Sequence, residues 1–142
     1  MSSALRVRRR RLAGVASLEF ALVLPIFVLL IYGLIVYALV FAAQHTLVNA
    51  AAEGARAALR HGTIAQRELA ACQVARDASG WITSVVGAAP ECVVSADCTN
   101  APCRRVRMTY DYLARPLVPS PPLFAALVPE RLQSSAVVHF IP

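Results

Sequence analysis

An uncharged stretch of 24 residues, 20–43, constrains this chain more than any other feature. Only Pro25 and Gly33 interrupt its aliphatic and aromatic side chains. About 20 apolar residues in a helix are enough to cross a hydrocarbon core about 30 Å thick. The pattern therefore predicts a transmembrane helix over 20–43, with the lipid bilayer as a partner of the chain.

The charges indicate how this helix is oriented. The formal charge is +6, and all 14 basic residues are arginines. Five of these arginines lie in the first 11 residues: Arg6, Arg8, Arg9, Arg10 and Arg11. An excess of basic residues stays on the cytoplasmic side, so the residues after Ala43 are predicted in the opposite compartment. Because the basic character belongs to this short segment, no nucleic-acid partner is expected.

Three interpretations of the apolar segment compete. A cleaved secretory signal has an apolar region of about 7–15 residues, and this segment is longer. A plain signal anchor accounts for the length but not for Glu19, since a carboxylate at the edge of an apolar span is costly unless it is paired. The third interpretation is cleavage after Gly14, which would create an amine on Val15, four residues before Glu19.

The residues around this position carry a family resemblance. A basic leader, a glycine, a glutamate five positions later and an apolar helix resemble type IV prepilins and pseudopilins. The stretch 14–25, GVASLEFALVLP, resembles more narrowly the TadE-like minor pseudopilins of the Flp/Tad (type IVb) pilus system. The stretch 51–58, AAEGARAA, is also similar to that family, and the similarity continues more weakly over 106–119.

The resemblance implies a non-enzymatic subunit for the assembly of adherence pili. Residues 1–14 would be the leader, and a prepilin peptidase would cut between Gly14 and Val15. Glu19, followed by Phe20, would act in assembly; the alternative for Glu19 is an idle, solvated residue at the headgroup boundary. The implied partners are this peptidase, major and minor pilins or pseudopilins, and the Tad secretion machinery.

The resemblance also implies a location: a single-pass protein of the bacterial inner membrane, with a cytoplasmic N-terminus and a periplasmic C-terminal domain. Whether the subunit enters the fibre or stays in the membrane is left open. The rival hypothesis is a membrane-anchored periplasmic protein with an unrelated binding or enzymatic role.

Beyond the span, the pattern predicts that the first helix covers 15–61 and that Gly62 ends it. Ala50, Gly54 and Ala58 form a row of small residues at a spacing of four, which permits close helix approach. We expect this row to pack on the protein's own domain rather than on another molecule.

The remaining residues, 62–142, are predicted to form a periplasmic α+β domain of the type IV pilin kind. Thr63 and Gln66 have the spacing of a capping box, which predicts a second helix up to Ser79 with Gly80 as its stop. One face of that helix is predicted to contain Ala65, Leu69, Cys72 and Ala75. Trp81 and Ile82 are expected to cover the edge of the core.

The C-terminal third predicts a short antiparallel sheet. Strands are expected over 92–95, 105–112 and 134–141, with the last two paired, and a short helical turn over 123–127. Alternation over 105–112 predicts that one face is buried. That face contains Val106, Met108, Tyr110 and Tyr112.

Four cysteines lie beyond the span, where periplasmic conditions favour disulfides. Cys98 and Cys103 flank a short loop, and their pairing would leave Cys72 to bond Cys92. The alternative pairs Cys92 with Cys103. Zinc is a rival interpretation, although the cysteine spacings do not contain a Cys-x₂-Cys pair. No cofactor, metal or catalytic residue is predicted, and the three histidines fall in no recognisable motif: His45, His61 and His139.

Overall fold

The computed structural model describes the backbone of residues 3–97, 102–119 and 128–139, and side chains in these ranges from Val15 onward. Three helices precede three strands, so the predicted α+β class is confirmed. The chain divides into two compact units, Met1–Tyr37 and Ala38–Pro142. The boundary between the units falls within the first helix.

The first helix, α1, is Ser3–Ala57. It begins within the predicted leader and continues without a break through Gly14 and Pro25. Apolar side chains over residues 15–31 are exposed in every direction around the helix, from Leu24 at 43% to Leu30 at 68%. A helix that is apolar all round is typical of a membrane span. By length and composition, Val15–Ala57 is able to cross a membrane.

The end of α1 differs from the prediction, because the helix stops at Ala57 rather than near Gly62. The amides of Leu59 and Arg60 bond to carbonyls three residues earlier, which tightens the chain into a turn. Gly62 then adopts a φ of +146°, a backbone conformation that favours glycine. It lies in the connection to the next helix and does not cap α1.

The second helix, α2, is Ile64–Ala78, and its predicted capping box is present. The backbone N–H of Gln66 donates to Thr63 Oγ1 at 3.3 Å, and the backbone N–H of Thr63 donates to Gln66 Oε1 at 3.0 Å. Of the four residues predicted on one face, Ala75 is buried and Cys72 half-buried, whereas Ala65 is exposed and Leu69 is 73% exposed. Ala71 is buried together with Ala75, because only small side chains fit where α2 approaches α1.

Gly80 does not stop the helical segment as predicted, since a third helix, α3, occupies Gly80–Val86. Buried Ser79 separates the two helices, and its hydroxyl donates to the Ala75 and Arg76 carbonyls at 3.0 and 3.1 Å. Ile82 is fully buried and Trp81 packs against the core. Gly87, at a φ of +73°, follows the last residue of α3.

The three strands are β1 (Glu91–Ser95), β2 (Cys103–Asp111) and β3 (Arg131–His139). They form an antiparallel sheet in the order β1-β2-β3, so the predicted pairing of the last two strands is confirmed. The predicted buried face is also confirmed, with Val106, Met108, Tyr110 and Tyr112 all at most 4% exposed. β3 begins three residues earlier than predicted. The predictions for 123–127 and for 140 and 141 lie outside the described residues.

Candidate processing and assembly site

The residues with predicted processing and assembly roles lie close together on α1: Gly14, Val15, Glu19 and Phe20. The side chains of Val15 and Phe20 are 59% and 65% exposed, and Glu19 is exposed as well. Four residues of helix separate Val15 from Glu19 by an axial rise of about 6 Å. The site is therefore an open helical surface, and the roles of its residues stay predictions.

The charge of Glu19 sets it apart from its surroundings. It is the single Asp, Glu, Lys or Arg among positions 12–52 of the sequence. A carboxylate at the margin of so long an apolar helix is expensive in a membrane unless a cation neutralises it. This position accordingly favours a paired role over an idle one.

The row of small residues further along α1 packs inside the second unit, as predicted: Ala50, Gly54 and Ala58 are all buried. A β-carbon on Gly54 would lie 2.8 Å from the carbonyl oxygen of Ala71 and 3.0 Å from the Ala75 β-carbon. It would also lie 3.2 Å from Val106 Cγ1. α1, α2 and β2 thus converge at Gly54, where the close approach of the three elements leaves no room for a side chain.

Polar side chains add two further links from α1. The indole N–H of Trp81 in α3 donates to Thr46 Oγ1 at 2.8 Å, and the Thr46 hydroxyl donates to the Ala42 carbonyl at 2.9 Å. Gln44 Nε2 donates to the Gln133 carbonyl of β3 at 3.0 Å. These bonds fix both α3 and β3 to the C-terminal half of α1.

A disulfide joins Cys72 of α2 to Cys92 of β1, with 5.6 Å between their α-carbons. The alternative pairing of Cys92 with Cys103 is therefore wrong. Cys103 is itself disulfide-bonded and 2% exposed, while Cys98 lies outside the described residues. Because these bonds consume the thiols, Cys72, Cys92 and Cys103 are not available as zinc ligands.

The histidines are scattered over three parts of the second unit and are all exposed: His45 in α1, His61 in the following turn and His139 at the end of β3. Within residues 3–97, 102–119 and 128–139, no group of three His, Cys, Asp or Glu side chains could hold a metal ion. The arrangement therefore provides no positive support for a catalytic centre.

Sequence reasoning missed a polar groove of about 460 Å³ at one end of the sheet. Its walls include Pro90, Glu91, Tyr110, Asp111, Arg115 and Arg131. The Tyr110 hydroxyl donates to the Arg115 carbonyl, and Arg131 Nε lies 4.0 Å from Asp111 Oδ2. Three strand ends meet here, so only the pairing of the strands could have revealed the groove.

Burial raises the pKa of Tyr110 above its ordinary value. Negative charge on Tyr112 and Asp111 acts in the same direction, and the Arg115 guanidinium opposes it. The hydroxyl is therefore held protonated, which suits its role as a hydrogen-bond donor to the Arg115 carbonyl.

Residues 14–56 match the family model described as TadE-like protein. This chain carries a TadE-like segment. The segment contains both Gly14 and Glu19, and it extends along α1 to Arg56, so it also includes Gly54. Neither the curated proteins nor the solved structures gave a match to the chain.

The TadE-like match supports a component associated with the Tad pilus. The family is a pilus-associated structural family and not an enzymatic one. The long apolar helix fits a single-pass membrane anchor. The disulfide and the sheet lie beyond the matched residues, so their contribution must be argued from structure alone.

Proposed function

We propose that this TadE-like protein is a minor pseudopilin, a non-enzymatic subunit that serves the assembly of Flp/Tad adherence pili. The observation that carries the proposal is the register of Gly14 and Glu19 at the head of a long apolar helix, inside the TadE-like match. An ordinary membrane anchor requires the apolar helix but neither of these residues.

The first step is cleavage between Gly14 and Val15 by a prepilin peptidase at the cytoplasmic face of the inner membrane. A glycine before the cut leaves the scissile peptide without a side chain on that side. Cleavage removes the five N-terminal arginines and creates an amine on Val15. The rest of the chain then spans the membrane once, with the second unit in the periplasm.

Assembly follows from the pairing of charges. Within one helix the rise of about 6 Å between Val15 and Glu19 makes a contact between the amine and the carboxylate marginal. A neighbouring subunit that is offset along the membrane normal brings its own amine closer to Glu19. The neighbour is a second copy or another pilin, and Phe20 lies beside this contact on the exposed helical surface.

Intact mass and N-terminal sequence of the membrane-extracted protein test the proposal. In a host with its prepilin peptidase, we expect a mature chain that starts at Val15, and in a host without the peptidase we expect the uncleaved chain. Gly14→Val should block processing, because a branched side chain replaces hydrogen at the cut.

Gly33→Val is the matched control, since it introduces the same side chain at a glycine within the span and should leave processing unchanged. A mature N-terminus near Ala43 would indicate ordinary secretion and exclude the pseudopilin. A chain that stays uncleaved in the host with the peptidase would favour the membrane-anchored protein with an unrelated role.

A further inference from the structure

The outer face of the sheet presents two arginines on its central strand. Arg105 and Arg107 are two residues apart on β2, so both point away from the face that contributes Val106 and Met108 to the core. Their α-carbons are about 7 Å apart at the rise of an extended strand. Arg107 is exposed and Arg105 is half-buried.

The residues directly opposite these arginines on both neighbouring strands are uncharged. Arg107 is opposite Val93 on β1 and Ser135 on β3. Arg105 is opposite Ser95 on β1 and Val137 on β3. No carboxylate therefore occupies a directly opposite position on either side of the two arginines.

Two other arginines of the same domain, in contrast, lie beside carboxylates. Arg104, on the inner side of β2, lies with its Nε 3.6 Å from Glu68 Oε1 of α2. Arg131 lies 4.0 Å from Asp111 at the far end of the sheet. In the ranges that the structure describes, neither Arg105 nor Arg107 has a carboxylate within 4.0 Å. Among the described residues, these two guanidinium groups therefore form no ion pair within 4.0 Å, although Glu91 lies on the same face of β1, two residues before Val93.

The same face also offers apolar contact. Val93 and Val137 are 48% and 39% exposed, and each flanks one of the two arginines on an opposite edge strand. A partner that only supplied negative charge would leave these side chains in water. The combination favours a partner with both carboxylates and apolar side chains, which is the chemistry of a protein surface.

We propose that this surface, which we call the arginine face (Val93, Ser95, Arg105, Arg107, Ser135 and Val137), binds an acidic segment of a partner protein. Guanidinium groups form paired hydrogen bonds with carboxylates, and such charge-assisted bonds are among the strongest in proteins. Carboxylates two residues apart in an extended segment are also about 7 Å apart, which matches the spacing of Arg105 and Arg107. The proposal does not rest on cleavage after Gly14.

Binding is tested with the purified full-length protein in detergent and a fluorescent peptide of alternating glutamate and valine. Fluorescence anisotropy should show saturable binding that weakens as salt is added, because the contacts are ionic. The double variant Arg105→Gln and Arg107→Gln should weaken binding by about tenfold or more, the effect of losing about 1.4 kcal/mol. Arg60→Gln, at an exposed arginine after α1, is the matched control and should bind as the original protein does.

Two further reagents separate the alternatives. A peptide of alternating glutamine and valine should not bind. The double variant Arg105→Lys and Arg107→Lys should bind the glutamate peptide with intermediate strength, since the charge remains but the paired hydrogen-bond geometry of the guanidinium is lost. Thermal unfolding of each variant establishes that the domain is folded. Equal binding by the double glutamine variant, or by the glutamine peptide, would overturn the proposal.

Binding to vesicles that contain anionic phospholipid tests whether the membrane, and not a protein, supplies the negative charge. Arginine-dependent binding to these vesicles without binding to the acidic peptide would identify a lipid surface and would overturn a protein partner. In cells, a photo-crosslinker at Val93 should capture a protein that one at exposed Gln73 does not. In a charge-reversal test, the variant with Arg105→Glu and Arg107→Glu should lose the contact with the captured protein. Replacing the acidic residues of the captured segment with arginines should restore it. Failure to restore the contact would count against the arginine face.

Discussion

The backbone of Gly54 in α1 lies directly against the carbonyl group of Ala71 in α2, with no space for a side chain between them. Gly54 belongs to the TadE-like segment, whereas Ala71 lies outside it. This contact therefore joins the family segment to the rest of the domain. It gives a physical reason for a glycine in the last turn of α1, since glycine within a helix is otherwise unfavourable by up to about 1 kcal/mol relative to alanine.

Gly54→Ala should lower the free energy of unfolding by about 1–3 kcal/mol, since overpacking outweighs the gain in helix propensity. Gly80→Ala is the control, because a β-carbon there would have no atom within 4 Å. Thermal unfolding of the detergent-solubilised protein, followed by circular dichroism, measures both. An unchanged or higher midpoint for Gly54→Ala would contradict the close contact.

The Cys72–Cys92 disulfide closes a separation of 20 residues between α2 and β1. Cys72→Ser should cost about 2–4 kcal/mol of stability, and the protein should be less abundant in cells. Denaturant unfolding measures the cost, and mass mapping without reductant checks the pairing. Cys92→Ser and the double variant should resemble Cys72→Ser, because the residues act through one bond. Additive losses would indicate that each cysteine acts separately.

The raised pKa of Tyr110 predicts a loss of stability at high pH. The unfolded chain releases the phenolic proton near pH 10, before the folded protein does. Tyr110 therefore makes its full contribution to the free energy of unfolding below about pH 10. This contribution is lost as the pH rises through the higher pKa of the folded state.

Denaturant unfolding at several pH values between about 9 and 11 should show this fall, and Tyr110→Phe should reduce its slope. An equal slope in the original protein and in Tyr110→Phe would show that other groups cause the pH dependence.

Glu19→Gln should leave membrane insertion intact and, because Gly14 remains, should also leave cleavage intact. It should impair pilus formation, since the amide cannot neutralise the amine on a neighbouring Val15. Glu19→Asp should form pili at a level between those of the original protein and Glu19→Gln, because its side chain keeps the carboxylate but is shorter by one methylene. Gel shift measures processing and shearing measures piliation, with Glu53→Gln as the control at an exposed carboxylate. Normal piliation by Glu19→Gln, where a deletion of the protein abolishes it, would make Glu19 an idle residue.

Several elements could be predicted because their causes lie within a few residues. The capping box of Thr63 and Gln66 needs only the first turn of α2. The buried face of β2 follows from strict alternation, which places Val106 and Met108 on the same side. The membrane span follows from uninterrupted apolar length, which is likewise a local property.

The errors share a different cause. Leu69 has the size and polarity of a core residue, yet α2 buries Ala71 because the closeness of α1 at Gly54 admits only small side chains. Gly80 has the chemistry of a helix stop, yet α3 begins there because burial of Ile82 against the core stabilises another helical segment. Each of these outcomes depends on a neighbour that is distant in sequence.

The sequence by itself determined a helix long and apolar enough to span a membrane, the α+β class and the spacing of Gly14 and Glu19 inside the TadE-like segment, because each depends on composition or on spacing along the chain. Tertiary structure alone decided that Cys92 bonds Cys72, that α1 ends at Ala57 and that the arginine face has no opposing carboxylate. These features depend on strand register and on packing between elements. Which residues come together in these ways is set by the folded domain as a whole and not by any one segment.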